Sequence, residues 1–192
     1  MLKAMRASLP LAFLLLAATA SDIRAQQPRR MPAEATDPAK AECSQQSDLA
    51  KAWQGQAFAV DGNTLTAVGL KAHLRIWGIQ TAELRDRQTG QETIAGMRAR
   101  AALEDLLAKS DHKVKCRPLR LERPCHVVAQ CSLDDPQAGD LGGALIAAGM
   151  AYGLSLDDAL PWEPRAGQRY ADAEFEARKA KRGFWPMWLG EK

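Results

Sequence analysis

Two stretches of sequence decide the fold: VDGNT at residues 60–64 and LRIWGIQTAE at residues 74–83. The Asp-Gly-Asn tripeptide of the first is typical of a turn, because Asx side chains accept hydrogen bonds from the local backbone and glycine tolerates unusual backbone angles. The second stretch contains Arg75 and Glu83. A carboxylate, an arginine and a second carboxylate therefore follow one another closely along the chain, as in a candidate active site.

Three strands are predicted around these stretches. Residues 57–68 are apolar or β-branched on both sides of the turn, Gly69 marks a second turn, and residues 72–79 resume the strand pattern. Alternate residues of the third run are apolar, which predicts that Arg75 and Trp77 share the opposite face.

Helices and two further strands follow. Apolar residues at helical spacing predict a first helix: Ile94, Met97, Ala101, Leu103, Leu106 and Leu107. Strands are predicted at 114–116 and 127–131 around a 119–124 connection. Asp140 can cap a short helix over 141–150, and a last helix over about 165–182 would end at Gly183. This order predicts an α+β fold, a five-stranded OB-fold β-barrel with three helices.

The N-terminus predicts export. Lys3 and Arg6 precede an apolar run ending at Ala20, which is typical of a signal peptide over residues 1–20, with cleavage after Ala25 as an alternative. The run is too short to span a bilayer, although a retained anchor is the other interpretation. We expect a periplasmic or secreted protein with no stable membrane span after cleavage.

The segment after the signal peptide is proline-rich and poor in large apolar side chains, so residues 21–52 are predicted to form a disordered leader. The folded domain is predicted over 53–188, with a tail at 189–192. The chain has 26 basic and 23 acidic residues, and 23 and 22 remain from Gln26 onward. A nearly neutral mature chain gives no indication of a nucleic-acid or other partner from composition.

Four cysteines in an exported chain favour disulfides: Cys43, Cys116, Cys125 and Cys131. A zinc site is the weaker interpretation, because the sequence lacks a C-x-x-C pair and His126 alone stands beside a cysteine. Cys116 and Cys131 are symmetric about the Arg123/Pro124 turn, so an equal-register hairpin would set them opposite each other. That pairing leaves Cys43 with Cys125.

The sequence resembles the staphylococcal-nuclease-like (thermonuclease) domain family. The resemblance rests on four motifs in order, VDGNT, LRIWGIQTAE, ALIAAGMA and EARKAKRGFW, and covers residues 56–185. It implies an OB-fold barrel with three helices and, in active members, calcium-dependent cleavage of DNA and RNA. In that mechanism carboxylates and a backbone carbonyl hold calcium, two arginines bind the phosphate, and a glutamate activates water.

The implied metal positions are Asp61, Asn63, Gln80 and the carbonyl of Thr81. Asn63 and Gln80 replace the two ligand carboxylates of the family, which predicts weak calcium binding because affinity depends on ligand charge. We expect no cofactor, or calcium if any activity remains.

The implied catalytic residues are Arg75 and Glu83, while His126 stands where the family has its second arginine. Histidine cannot replace arginine as a permanently charged bidentate donor. Losing a donor to the transition state costs about 100- to 1000-fold in rate. The sequence therefore predicts a catalytically degenerate member.

Each of these residues also has a structural interpretation. Arg75 and Glu83 could form an ion pair at the barrel mouth, and Asp61 and Asn63 could be ordinary turn residues. Tryptophans could pack or, as in other OB folds, stack on bases. Tyr152 lies where active relatives have substrate-contacting tyrosines.

The sequence therefore favours an exported monomer acting as a binding module for nucleic acid or an envelope protein. The alternative is a weak or altered phosphodiesterase acting on DNA or RNA through Arg75 and Glu83.

Overall fold

The computed structural model describes residues 52–123, 125–134, 139–154 and 159–190. The predicted signal peptide, the predicted leader up to residue 51 and the tail residues 191–192 lie outside these ranges. The elements along the described chain are β1 (Trp53–Ala59), β2 (Thr64–Ala67), β3 (His73–Ile76), β4 (Ile79–Thr81), α1 (Ile94–Ala108), β5 (Lys113–Arg123), β6 (His126–Leu133), α2 (Leu141–Ala147), β7 (Ala151–Gly153), α3 (Ala166–Lys179) and α4 (Trp185–Trp188).

Five strands close into a barrel in the order β1-β2-β3-β6-β5. Strand β3 runs parallel to β6, and the other pairs are antiparallel. Closure leaves no unpaired edge in the sheet, and the apolar faces of the strands meet inside it. The barrel and its packed helices confirm the predicted α+β, OB-type fold.

The third predicted strand is shorter than its apolar pattern indicates. Strand β3 ends at Ile76, and a turn at Trp77-Gly78 leads into β4, which pairs with β7 outside the barrel. Gly78 takes a positive φ of 76°, which ends the strand. The prediction that Trp77 shares the face of Arg75 is therefore wrong. Trp77 is buried, and its ring lies 5.3 Å from that of Tyr170.

Strand β5 is longer than predicted, because it continues through residues 119–123 of the predicted connection. Register shifts lie between Pro118 and Arg120 and between Leu121 and Arg123. Such bulges accommodate a proline within a strand and re-aim the side chains that follow. Earlier in β5, Cys116 lies opposite Cys131 of β6, as predicted. Their Cα atoms are 4.1 Å apart, and a disulfide joins them.

The predicted apolar face of helix α1 is confirmed at Leu103 and Leu107 and is wrong at Ile94, Met97 and Ala101. The buried residues of the helix are Gly96, Ala99, Leu103 and Leu107. Ile94 and Met97 are exposed, and so is Ala101. Helical spacing identified the helix, whereas the small residues decide which side can approach the barrel closely.

Helices α2 and α3 meet at one buried carboxylate. Asp140 caps α2, accepting a hydrogen bond from the N–H of Gly143 at 2.8 Å, and also accepts from Tyr170 at 2.5 Å and from Arg169 on α3. Helix α2 ends at Ala147, and α3 ends at Lys179 rather than near Gly183. None of the described helices is long and apolar enough to cross a membrane.

Candidate functional site

The turn between β1 and β2 is held by its own side chains. Asp61 Oδ1 accepts a hydrogen bond from the backbone N–H of Asn63 at 2.9 Å, an Asx-type turn. The Asn63 side chain is buried, and its Oδ1 accepts from the Thr64 hydroxyl at 3.3 Å. The Asn63 carbonyl accepts from the N–H of Ile76 at 2.8 Å, which ties the turn to the end of β3.

Gly62 brings this turn against β4 and α1. A Cβ at this position would lie 2.5 Å from the Thr81 hydroxyl oxygen and 2.7 Å from the Ala99 Cβ, so any side chain would push the three elements apart. The close contact explains why glycine stands between Asp61 and Asn63. It also places both Asx residues near the β4 residues that the resemblance implicates.

Arg75 projects from β3 and has two partners. Its Nη2 donates to Gln80 Oε1 at 2.9 Å, and its Nε lies 3.8 Å from Glu122 Oε1. Both Arg75 and Glu122 are about one-third exposed or less, at 26% and 34% of their side chains. The guanidinium therefore lies at a half-open surface, already partly neutralised by a carboxylate of the chain.

The Gln80 amide connects Arg75 to the rest of the site. Its Nε2 donates to the Thr81 carbonyl at 3.2 Å and to Glu83 Oε1 at 3.4 Å. Arginine can donate but not accept, whereas the carbonyl and the carboxylate can accept but not donate, so the partners fix which amide atom is oxygen. Both ends of the Gln80 amide are thus used within the protein.

Glu83 lies at the far end of this chain of hydrogen bonds. Its Oε1 is 3.1 Å from Arg87 Nη2, and its side chain is 54% exposed. Its backbone carbonyl accepts from the Thr93 hydroxyl at 2.6 Å, at the start of α1. Arg75 and Glu83 therefore do not pair with each other, which corrects the predicted ion pair, because Gln80 lies between them and each has a different charged partner.

The four predicted metal positions supply a poor donor set for calcium. Asp61 is the one carboxylate among them, and one of its oxygens already accepts from Asn63. The oxygens of Asn63, Gln80 and Thr81 all accept hydrogen bonds from the protein. Calcium prefers six to eight oxygen ligands, several of them charged. Within the described part of the chain, no three His, Cys, Asp or Glu side chains gather to hold a metal.

His126 opens β6, with its ring 5.3 Å from that of His73, its register partner on β3. The preceding residue, Cys125, has a φ of 63°, is disulfide-bonded, and accepts from the N–H of His73 at 2.7 Å. Its predicted partner, Cys43, lies outside the described residues. The turn that the resemblance matches to the second arginine is attached to β3 by this bond.

An aromatic pair adjoins the network. Tyr152 on β7 is the register partner of Gln80 and is 37% exposed. Its ring meets Trp188 edge-on at 5.5 Å between centroids. Trp185 is buried beside them, whereas Trp188 is partly exposed.

Two residues of the network were missed by sequence reasoning, Glu122 and Arg87. Arg87 stands four residues after Glu83, a spacing at which opposite charges often meet. Glu122 gave no local signal, because its approach to Arg75 depends on β6 lying between β5 and β3 and on the bulges of β5.

A separate cleft of about 640 Å³ lies among β1, β5, β6 and the start of α2. Its polar groups bind one another: Gln130 donates to Glu163 at 2.5 Å and accepts from Trp162 at 2.6 Å, and Arg169 pairs with Glu163 and Asp140. This self-contained network joins the helices to the barrel and is distinct from the Arg75 site.

The sequence model of one protein family, described as staphylococcal nuclease homologue, matches residues 73–187, more than half of the chain. The chain therefore belongs to the staphylococcal nuclease family, which confirms the predicted resemblance. The match includes Arg75, Gln80 and Glu83 and begins after the Asp-Gly-Asn turn. No curated protein matches the chain closely enough to add a named relative.

Proposed function

We propose that this chain is an exported, non-cleaving member of the family that binds single-stranded nucleic acid at the face around Arg75. The observation that carries the proposal is the Gln80 amide, which bonds to Arg75, Glu83 and the Thr81 carbonyl. This neutral amide links Arg75, the Thr81 carbonyl and Glu83 in one hydrogen-bonded network.

The loss of calcium chemistry is supported by charge. Amides at Asn63 and Gln80 remove two negative charges from the set that would hold the ion, and calcium affinity falls with ligand charge. His126 replaces the second guanidinium with a group that is not permanently charged. These changes act on the same transition state, so their effects on rate would not simply multiply.

Retention of binding is supported by Arg75 and the aromatic pair. A guanidinium binds phosphate through paired N–H donors, and the Arg75 side chain remains 26% exposed. Tyr152 is exposed beside Gln80, and stacking of a base on an exposed aromatic ring contributes about 1–3 kcal/mol. Export is supported by the Cys116–Cys131 disulfide, a bond that persists in oxidising compartments.

The proposal is tested by fluorescence anisotropy with a labelled oligothymidylate of about ten nucleotides, within the range for one OB fold. EDTA is present throughout, so that no metal-dependent step contributes. We expect binding by the wild type and a loss of at least about tenfold in Arg75→Gln, because a hydrogen bond to a charged group contributes about 1.5–3 kcal/mol.

Arg85→Gln is the matched control, because Arg85 lies in the neighbouring loop and pairs with Glu92, away from Gln80. Equal affinities of the wild type and both variants would refute Arg75-dependent binding.

A second candidate is a weak phosphodiesterase acting through Arg75 and Glu83. It is favoured by one observation, that the two side chains remain linked through the Gln80 amide. Cleavage that survives EDTA and disappears in both Arg75→Gln and Glu83→Gln would establish it.

A further inference from the structure

We propose that Glu122 is an internal competitor for Arg75, which a ligand phosphate must displace. This inference rests on the proposed function, because it concerns the affinity of the same site. Glu122 Oε1 lies 3.8 Å from Arg75 Nε, while Arg75 Nη2 donates to Gln80. A phosphate approaching Nε therefore meets the carboxylate that forms an ion pair with it.

Three features of the fold determine where the backbone of Glu122 lies. Strand β5 is separated from β3 by β6, so the Glu122 side chain approaches Arg75 from beyond the intervening strand. The register shift between Leu121 and Arg123 falls at Glu122 itself. The turn that follows is fixed to β3 by the bond between the His73 N–H and the Cys125 carbonyl, 2.7 Å long. The backbone at the end of β5 thus places Glu122 within reach of Arg75.

The same arrangement occurs at the other end of the network, where Arg87 is held by Glu83 at 3.1 Å. Arg75 and Arg87, at the two ends of the described network, therefore each have a carboxylate of the chain as counterion. A polyanion gains an interaction with Arg75 only after losing the Arg75–Glu122 pair and also meets the negative charge of Glu122. Removing that carboxylate relieves both penalties, so Glu122 lowers the affinity for anions.

Glu122→Gln tests this inference, because it keeps the shape of the side chain and removes the charge. The probes are the labelled oligothymidylate and, separately, inorganic phosphate as a competitor, both in EDTA. We expect Glu122→Gln to bind the oligonucleotide about two- to fivefold more tightly, the size expected for a partly exposed ion pair. Inorganic phosphate should compete better in the variant by a similar factor, if the gain arises at a single phosphate position.

Glu92→Gln is the matched control, since it makes the same change in net charge but removes a carboxylate paired with Arg85. Its affinity should equal that of the wild type, and thermal melting should show that both variants remain folded.

The possible outcomes separate this inference from the proposed function. Tighter binding by Glu122→Gln, unchanged binding by Glu92→Gln and loss in Arg75→Gln support both. Equal binding by the wild type and Glu122→Gln, with loss in Arg75→Gln, overturns the competitor role and leaves the binding function intact. Equal gains in Glu122→Gln and Glu92→Gln also overturn it, because net charge alone would explain them. Absence of binding in the wild type and in Glu122→Gln overturns both.

Discussion

The side-chain oxygen of Gln80 accepts a hydrogen bond from Arg75 Nη2 at 2.9 Å. This bond orients the guanidinium of Arg75, whose other partner among the described residues is Glu122. An aspartate at position 80 would form an ion pair with Arg75 and would still have an oxygen lone pair available to bind a metal. The amide of Gln80 forms the hydrogen bond to Arg75 without a negative charge, which is the basis of the proposal that calcium chemistry is lost.

Restoring the charges should strengthen calcium binding. The triple variant Asn63→Asp, Gln80→Asp and His126→Arg introduces two carboxylates and a guanidinium, so isothermal titration calorimetry should show tighter calcium binding by the variant than by the wild type. Affinity should increase because hard cations bind more tightly as ligand charge grows.

The control for this variant is Asn63→Asp, Gln91→Asp and His126→Arg, which makes the same changes in charge but places one of the two carboxylates on the exposed 84–91 loop. If the control binds calcium as tightly as the triple variant, Gln80 does not occupy a metal-ligand position.

Among the carboxylates of the helices and their caps, removal of Asp140 should lower the free energy of unfolding the most. Asp140→Ala deletes the cap of α2 and leaves the Tyr170 hydroxyl and Arg169 without their shared acceptor. Burial and the Asp140 carboxylate together raise the pKa of Tyr170 above its usual value, so the phenol stays a neutral donor at all ordinary pH values. We expect the free energy of unfolding to fall by about 2–4 kcal/mol in urea titrations.

Asp172→Ala is the control for this prediction, because Asp172 is an exposed residue of α3 that accepts from Gln168. Its effect should stay below about 0.5 kcal/mol. An Asp140→Ala variant that is no less stable than the control would show that the network contributes little.

Glu104 should make stability depend on pH. Burial alone would raise the pKa of Glu104, but the Ala59 N–H and the His112 side chain outweigh it and lower that pKa below its usual value of 4.5. A carboxyl whose pKa is lower in the folded state stabilises the fold above its unfolded pKa and loses this contribution as pH falls through the folded value.

The free energy of unfolding of Glu104→Gln should therefore be lower than that of the wild type at pH 7, by about 1 kcal/mol. The difference should shrink below about pH 4.5. Asp105→Asn, which removes a neighbouring exposed charge, is the control for the change in net charge. A difference between Glu104→Gln and the wild type that stays constant down to pH 3 would contradict the linkage.

The Cys116–Cys131 disulfide closes a segment with a sequence separation of 15 residues. Replacing both cysteines with alanine should lower the free energy of unfolding by about 3 kcal/mol, chiefly because the unfolded chain gains freedom. The double variant is the appropriate test, because reduction of the wild type would also break the bond at Cys125. Unchanged stability would show that the hairpin is held by its strand pairing alone.

Local patterns predicted the barrel strands and the three main helices because each has a periodicity that the final fold preserves. Apolar spacing predicted Leu103 and Leu107 on the buried face of α1 but missed Gly96 and Ala99, whose small size permits the close approach to residues 83–84 and to Gly62. Ile94 and Met97 remain exposed as a result.

The sequence identified the residues at the centre of the candidate site but not the charged residues that pair with them. Arg75, Gln80 and Glu83 are close in sequence, and the structure links them in one network. Their outer partner Glu122 is distant along the chain and arrives through strand order, which no local pattern encodes. The buried position of Trp77 was missed because the turn at Gly78 interrupts the alternation.

Cleavage of single-stranded DNA in calcium is the most direct test of the central claim, that this family member has lost calcium-dependent hydrolysis. The purified wild type and Arg75→Ala should release the same background amount of fragment, with or without EDTA. Calcium-dependent cleavage by the wild type that disappears in both Arg75→Ala and EDTA would contradict the claim.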